Sequence, residues 1–188
     1  MAATLTADNE LVYASFPIEK VEETPDGDLM VWGKVSDGTV DGDLQIVDPE
    51  WSLKALREWF DTGANVRVQH QAQRDPAGKG LELDGHYLKA LVVEREAKRL
   101  VKAGALGWYS VGISRPDIRY ERNPKLDPEG KAIGGIITGR RDGTSHIPEV
   151  SLVDRGSNHN SRFQLVKAAA DGTCEWVGKM IGTDEGVT

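Results

Sequence analysis

The chain has 188 residues, enough for one domain with its own core, and its 39% hydrophobic and 28% charged residues are those of an ordinary globular protein. A net charge of −7, with no basic cluster longer than Arg140-Arg141, argues against a nucleic-acid-binding surface. A single cysteine, Cys174, allows no internal disulfide, no apolar run could span a membrane, and residues 1–12 lack the basic start and apolar stretch of a signal peptide, so a soluble cytoplasmic protein is expected.

Residues 1–10 read as a loose tail. "LVYASFPI" (Leu11–Ile18) and "DLMVWGKV" (Asp28–Val35) read as strands separated by the turn "ETPDGD", and the loop "SDGTVDGD" (Ser36–Asp43) leads to a short strand, "LQIVD". A helix follows with Asp48 as N-cap, Pro49 in its first turn, Leu53, Leu56, Trp59 and Phe60 on one face, and Gly63 as its stop. "NVRVQHQ" (Asn65–Gln71) alternates as a half-buried strand does. "QRDPAGKG" is then a loop and "HYLKALVVE" a strand. A second helix covers Arg95 to Ala103, with Ala97, Leu100 and Val101 on its apolar face and Gly104 and Gly107 at its exit. "GWYSVGIS" (Gly107–Ser114) continues as a strand through "DIRYER". "NPKLDPEGKAIGG" is a surface excursion, and "GIITGRR" and "IPEVSLVDRG" are the last strands. Residues 11–167 form the domain, and the Gly- and Ala-rich residues 168–188 read as a linker or arm. Many strands with two helices predict an α+β fold, a small β-rich barrel with flanking helices, rather than alternating βαβ units.

Period-two geometry places Trp108, Ser110, Gly112 and Ser114 on one face of their strand, and Tyr109, Val111 and Ile113 on the core face. Ser110 is therefore expected to look outward, beside a glycine that admits close approach. A serine nucleophile needs a base, and His70 at the end of an alternating strand is well placed to reach across a cleft. Glu149, a charge opening the strand-like "EVSLV", is the candidate carboxylate to orient that imidazole. Each alone also fits a structural role: a tolerated strand serine, a satisfied histidine, a strand-end carboxylate facing water. Asp154 is the alternative third member. In a regular strand it points to the opposite face from Glu149, so at most one of the two reaches His70. His146, Glu149 and Asp154 match no tight zinc spacing, "GTVDGD" lacks the ligand pattern of a calcium loop, and "DPAGKG" lacks the full phosphate-loop spacing.

Four blocks resemble the prohead, or capsid maturation, serine proteases of tailed bacteriophages, distant relatives of the herpesvirus assembly proteases. These are "VWGKVSDGTVDGDLQIVDPEW", "VQHQAQRDPAGKG", the second helix with "GALGWYSVGIS", and "IPEVSLVDRGSNHNS", in the family's order over residues 28–165. Two features depart from the family: Gly156-Ser157 stand where it carries Pro-Ala before Asn158, and Arg155 is out of register with the herpesvirus oxyanion arginines.

The resemblance implies Ser110 as nucleophile, His70 as general base and Glu149 as third member, on a herpesvirus-protease-like barrel. It implies a serine endopeptidase that cuts scaffold or major capsid protein, and itself, inside the assembling procapsid in the host cytoplasm. No cofactor and no metal are implied, neither nucleic acid nor membrane is a partner, and a homo-oligomer is allowed. The alternative is a non-catalytic scaffold or internal capsid protein that keeps the protease fold. A hydrolase of another class is disfavoured, because no Gly-x-Ser-x-Gly elbow is present and Ser110 follows a helix rather than preceding one.

Overall fold

The computed structural model describes residues 11–39, 45–122, 133–154, 164–168 and 174–179. The loose tail expected over residues 1–10, residues 123–132 of the surface excursion, Arg155 to His159 and the chain past residue 179 lie outside the described residues, and the last three residues of that excursion belong to a strand. The elements are β1 (Leu11–Glu23), β2 (Leu29–Lys34), β3 (Gln45–Val47), α1 (Pro49–Asp61), β4 (Asn65–Val68), β5 (Gly78–Asp84) and β6 (Tyr87–Val92). They continue as α2 (Arg95–Lys102), β7 (Trp108–Ser114), β8 (Asp117–Arg122), β9 (Ile133–Thr138), β10 (His146–Val153), β11 (Gln164–Ala168) and β12 (Cys174–Lys179).

Seven strands close a barrel in the order β1-β2-β6-β5-β4-β10-β7, with β7 pairing back onto β1. Closure uses the length of β1, whose Leu11–Pro17 half pairs with β7 and whose Ile18–Glu23 half pairs with β2, both antiparallel. At the handover Ile18 N–H donates to the Gly107 carbonyl at 2.9 Å, just after Pro17, which has no N–H to give. On the far half of β1, β11 lies parallel and carries β12. The stretch expected as an arm after Lys167 therefore includes a paired strand. A second sheet has the order β3-β9-β8. This is the β-rich α+β architecture with two helices that the element pattern predicts.

The core follows the alternation. Tyr109, Val111 and Ile113 of β7 are fully buried with Val150 and Leu152 of β10, Val66 of β4 and Val31 of β2. Each such valine or isoleucine contributes roughly 1.5–3 kcal/mol by leaving water. Tyr109 also donates its hydroxyl to the Val31 carbonyl at 3.1 Å, tying β7 to β2. Burial pushes the Tyr109 phenol far above its ordinary value, so it stays protonated.

Both helices begin as their sequences predict. Asp48 accepts from Trp51 N–H at 2.8 Å ahead of Pro49, and Glu94 accepts from the Glu96 and Ala97 N–H groups. The buried face of α1 is Ser52, Ala55, Leu56 and Trp59, with Leu53 and Phe60 only half-buried, so the helix is turned slightly from the face expected. Two further corrections concern strands. β5 runs through residues whose Gly-Lys-Gly reads as loop, and β7 and β8 are separate strands because Arg115 takes a φ of +50° before Pro116. Among the described residues no helix is long and apolar enough to cross a membrane.

Candidate active site

The site forms where β1, β7 and β10 lie side by side and β4 ends against β10. The alternation of "NVRVQHQ" predicts a strand to Gln71, but β4 stops at Val68 and the next two residues turn left-handed, with φ of +50° at Gln69 and +56° at His70. Such a conformation costs of order 1–3 kcal/mol per non-glycine residue and persists only where surrounding contacts impose it. Here Gln69 N–H extends the parallel ladder to the Leu152 carbonyl at 2.9 Å, while Gln71 N–H bonds back to the Val68 carbonyl at 3.1 Å. The strained pair turns the imidazole out of the strand and over its neighbours.

There His70 Nδ1 meets Glu149 Oε1 at 2.5 Å. A proton held on Nδ1 by that carboxylate leaves Nε2 with its lone pair free, the tautomer a general base requires. Glu149 is 6% exposed, so the strand-end carboxylate facing water is excluded. Burying a carboxylate is costly unless it is bonded, and its second oxygen accepts weakly from Ser151 Oγ at 3.4 Å.

The outer face of the three strands is built in rows. Tyr13, Gly112 and Glu149 are in register, and in the next row so are Ser15, Ser110 and Ser151. Ser110 thus lies one row from Glu149, on the face away from the barrel core as its parity predicts. The expectation that it looks out to solvent is corrected: Ser110 is 1% exposed, and its Oγ has no hydrogen-bond partner among the described residues. Buried hydroxyls nearly always find a partner, and an orphan is a feature that needs a reason. No hydrogen bond joins Ser110 to His70, and catalytic bonds of this kind are commonly long before substrate is bound.

Asp154 is exposed, has no hydrogen bond among the described residues, and leaves His70 to Glu149. His146 is exposed and bonded to Ser114 Oγ at 2.7 Å, so His146, Glu149 and Asp154 do not converge. Among the described residues no three His, Cys, Asp or Glu side chains could hold a metal ion. His86 belongs to a separate network with Ser52 and Ser36. A cleft of 310 Å³ opens beside the loop that follows His70, between Arg74 and Asp75 on one side and Glu94 and Glu96 on the other. Neither Ser110, His70 nor Glu149 lines it.

Tyr13, Ser15 and Ser151 also belong to this site, and none is singled out by the sequence. Their parity within strands was readable, but their neighbours were not, because β1 meets β7 across more than ninety residues of chain. Tyr13 lies against His70 with ring centroids 4.0 Å apart. Burial, and then the Glu149 charge, push its phenol above the ordinary tyrosine value.

In comparisons with known proteins, no family model, no curated protein and no solved structure matches the chain.

Proposed function

We propose that this chain is a serine endopeptidase of the prohead maturation type, on a barrel akin to that of the herpesvirus assembly proteases. The observation that carries the reading is the His70–Glu149 hydrogen bond at 2.5 Å, formed one row from a buried serine whose hydroxyl has no partner among the described residues. A carboxylate-oriented imidazole beside a free serine hydroxyl is the arrangement that nucleophilic acyl transfer uses. In the reaction His70 Nε2 takes the Ser110 proton as Oγ attacks the scissile carbonyl. Glu149 stabilises the imidazolium, which returns the proton to the leaving amine. Water then hydrolyses the acyl-enzyme by the same exchange. Backbone N–H groups are the oxyanion donors in this scheme. The substrates are the scaffold and major capsid proteins and the chain itself, met inside the assembling procapsid in the host cytoplasm.

The burial of Ser110 favours a second reading, a non-catalytic scaffold or internal capsid protein that retains the fold. Co-expression with its capsid and scaffold partners separates the two. The wild type and Ser110→Ala are compared by intact mass, and a fluorophosphonate probe is applied to both. Defined truncations and a covalent probe adduct in the wild type, absent from Ser110→Ala, are expected. Identical masses in both, with assembly intact, would leave the scaffold reading standing.

A further inference from the structure

We propose that Tyr13 is a positioning residue for His70, its ring lying over the imidazole to hold it against Glu149 and to favour its charged form. The catalytic meaning of this assignment rests on the peptidase reading; its test does not.

A single hydrogen bond to Nδ1 fixes the distance and direction of one ring nitrogen. It leaves the imidazole free to swing about that bond, and Nε2 swings with it. A second contact on the face of the ring removes that freedom. Glu149 from β10 and Tyr13 from β1 both meet the His70 ring, the latter with centroids 4.0 Å apart and planes at 44°. From β7 the intervening position is Gly112, which presents no charge. On the loop's own side Gln69 and Gln71 are neutral, and the Arg67 guanidinium is bonded to the Arg74 carbonyl at 2.7 Å.

Gly112 makes the arrangement possible. A Cβ added there would lie 3.2 Å from both Cγ and Oε1 of Glu149, and 3.5 Å from Cε1 of Tyr13. Phenol ring and carboxylate therefore share the space above this glycine, and the imidazole seats against both. Tyr13 is 40% exposed, and its hydroxyl has no hydrogen-bond partner among the described residues. The ring, not the hydroxyl, makes the contact that matters. Its phenol pKa is raised by burial first and by the nearby Glu149 charge second, and the second cause agrees with that closeness. An aromatic face attracts a cation, so the ring stabilises the imidazolium formed when His70 takes a proton.

The test titrates the imidazole nitrogens of the full-length chain by ¹H–¹⁵N NMR, in the wild type, Tyr13→Phe and Tyr13→Leu. Phenylalanine keeps the π face, whereas leucine keeps most of the bulk and loses it, so the pair separates ring electrostatics from simple burial. The His70 pKa is expected to match the wild type in Tyr13→Phe and to fall by about 0.4–0.7 units in Tyr13→Leu. The Nδ1 proton resonance should be kept in the first variant and broadened or lost in the second. His86 and His146 serve as internal controls and should not move. A Tyr13→Leu titration equal to the wild type, or one that shifts all three histidines alike, overturns the assignment. Because the readout needs no turnover, an inactive chain would sink the peptidase reading while leaving this measurement intact.

Discussion

His86 and His70 both sit at turns beside strand ends and near buried serines, yet their surroundings differ in nearly every polar contact. At the β5–β6 turn the positive φ falls on Gly85, so His86 keeps an ordinary backbone. Its Nε2 lies 3.1 Å from Ser52 Oγ and 3.0 Å from the Pro49 carbonyl, and Ser52 accepts in turn from Ser36 Oγ at 3.1 Å. Every hydroxyl there is spoken for, and the network pins the start of α1 to the hairpin. At the β4 exit the strain falls on Gln69 and His70 themselves, the histidine faces a buried carboxylate, and Ser110 Oγ has no partner among the described residues. The contrast separates two uses of the same residue types. A satisfied cluster holds elements together, whereas strain and an unmet hydroxyl, kept in a well-packed barrel, are the features on which the proposed peptidase reading rests.

The largest effect that would break this contrast is expected at Gly112. Alanine there puts a methyl group 3.2 Å from the Glu149 carboxylate without demanding an unusual backbone, so the carboxylate must shift by a few tenths of an ångström. On the peptidase reading a displaced carboxylate misdirects Nε2, and the rate of fluorophosphonate labelling should fall about 10- to 100-fold while stability changes by less than about 1 kcal/mol. Unchanged labelling would mean that the Glu149 geometry does not govern Ser110.

The two serines sharpen the same comparison through stability. Ser52→Ala strips a partner from Ser36 and from His86 in a buried place, and should cost about 1–3 kcal/mol in urea unfolding. Ser110→Ala removes a hydroxyl that bonds to nothing described, and should leave the protein about 1 kcal/mol more stable. Equal losses in both variants would show that the Ser110 hydroxyl is satisfied in solution, and the difference between the clusters would disappear.

How far this contrast was readable beforehand depends on what one-dimensional patterns carry. Period-two alternation separates Ser110 and Gly112 from Tyr109, Val111 and Ile113, because strand geometry forces it. Helix punctuation likewise marks the cap at Asp48, whereas the Glu94 cap ahead of Arg95 is not singled out by the sequence. Alternation does not tell which positions on the outer face are covered, so Ser110 is expected in solvent and is found buried. Nor does it give register between distant strands, and this is why Tyr13 and Ser15 are invisible as neighbours of His70 and Ser110. The alternation of "NVRVQHQ" overshoots at Gln69 because the left-handed turn is imposed by contacts to β10, not by local preference. β5 is missed for a related reason: its glycines read as loop, yet Gly78 is in the sheet because β6 approaches too closely for a side chain. Glu149, a charge in an apolar run, is buried and bonded to His70, a pairing that the run itself does not specify.

The smallest effect expected concerns the two tyrosines on opposite faces of the barrel wall. Tyr109, on the inner face, is fully buried with its hydroxyl on the Val31 carbonyl, and its folded-state pKa lies far above the unfolded value near 10. A raised folded pKa gives stability that is complete below pH 10 and lost as pH climbs toward the folded value, because only the unfolded chain can release the proton. Between pH 10 and 11 the wild type should therefore lose roughly 1 kcal/mol more stability than Tyr109→Phe, as followed by urea unfolding at each pH. Tyr13, on the outer face and partly in water, is raised through burial and the Glu149 charge, so Tyr13→Phe should remove a smaller part of the same alkaline slope. Equal slopes for the two variants would mean that inner and outer faces bury their phenols alike, and the difference in exposure between Tyr13 and Tyr109 would have no energetic counterpart.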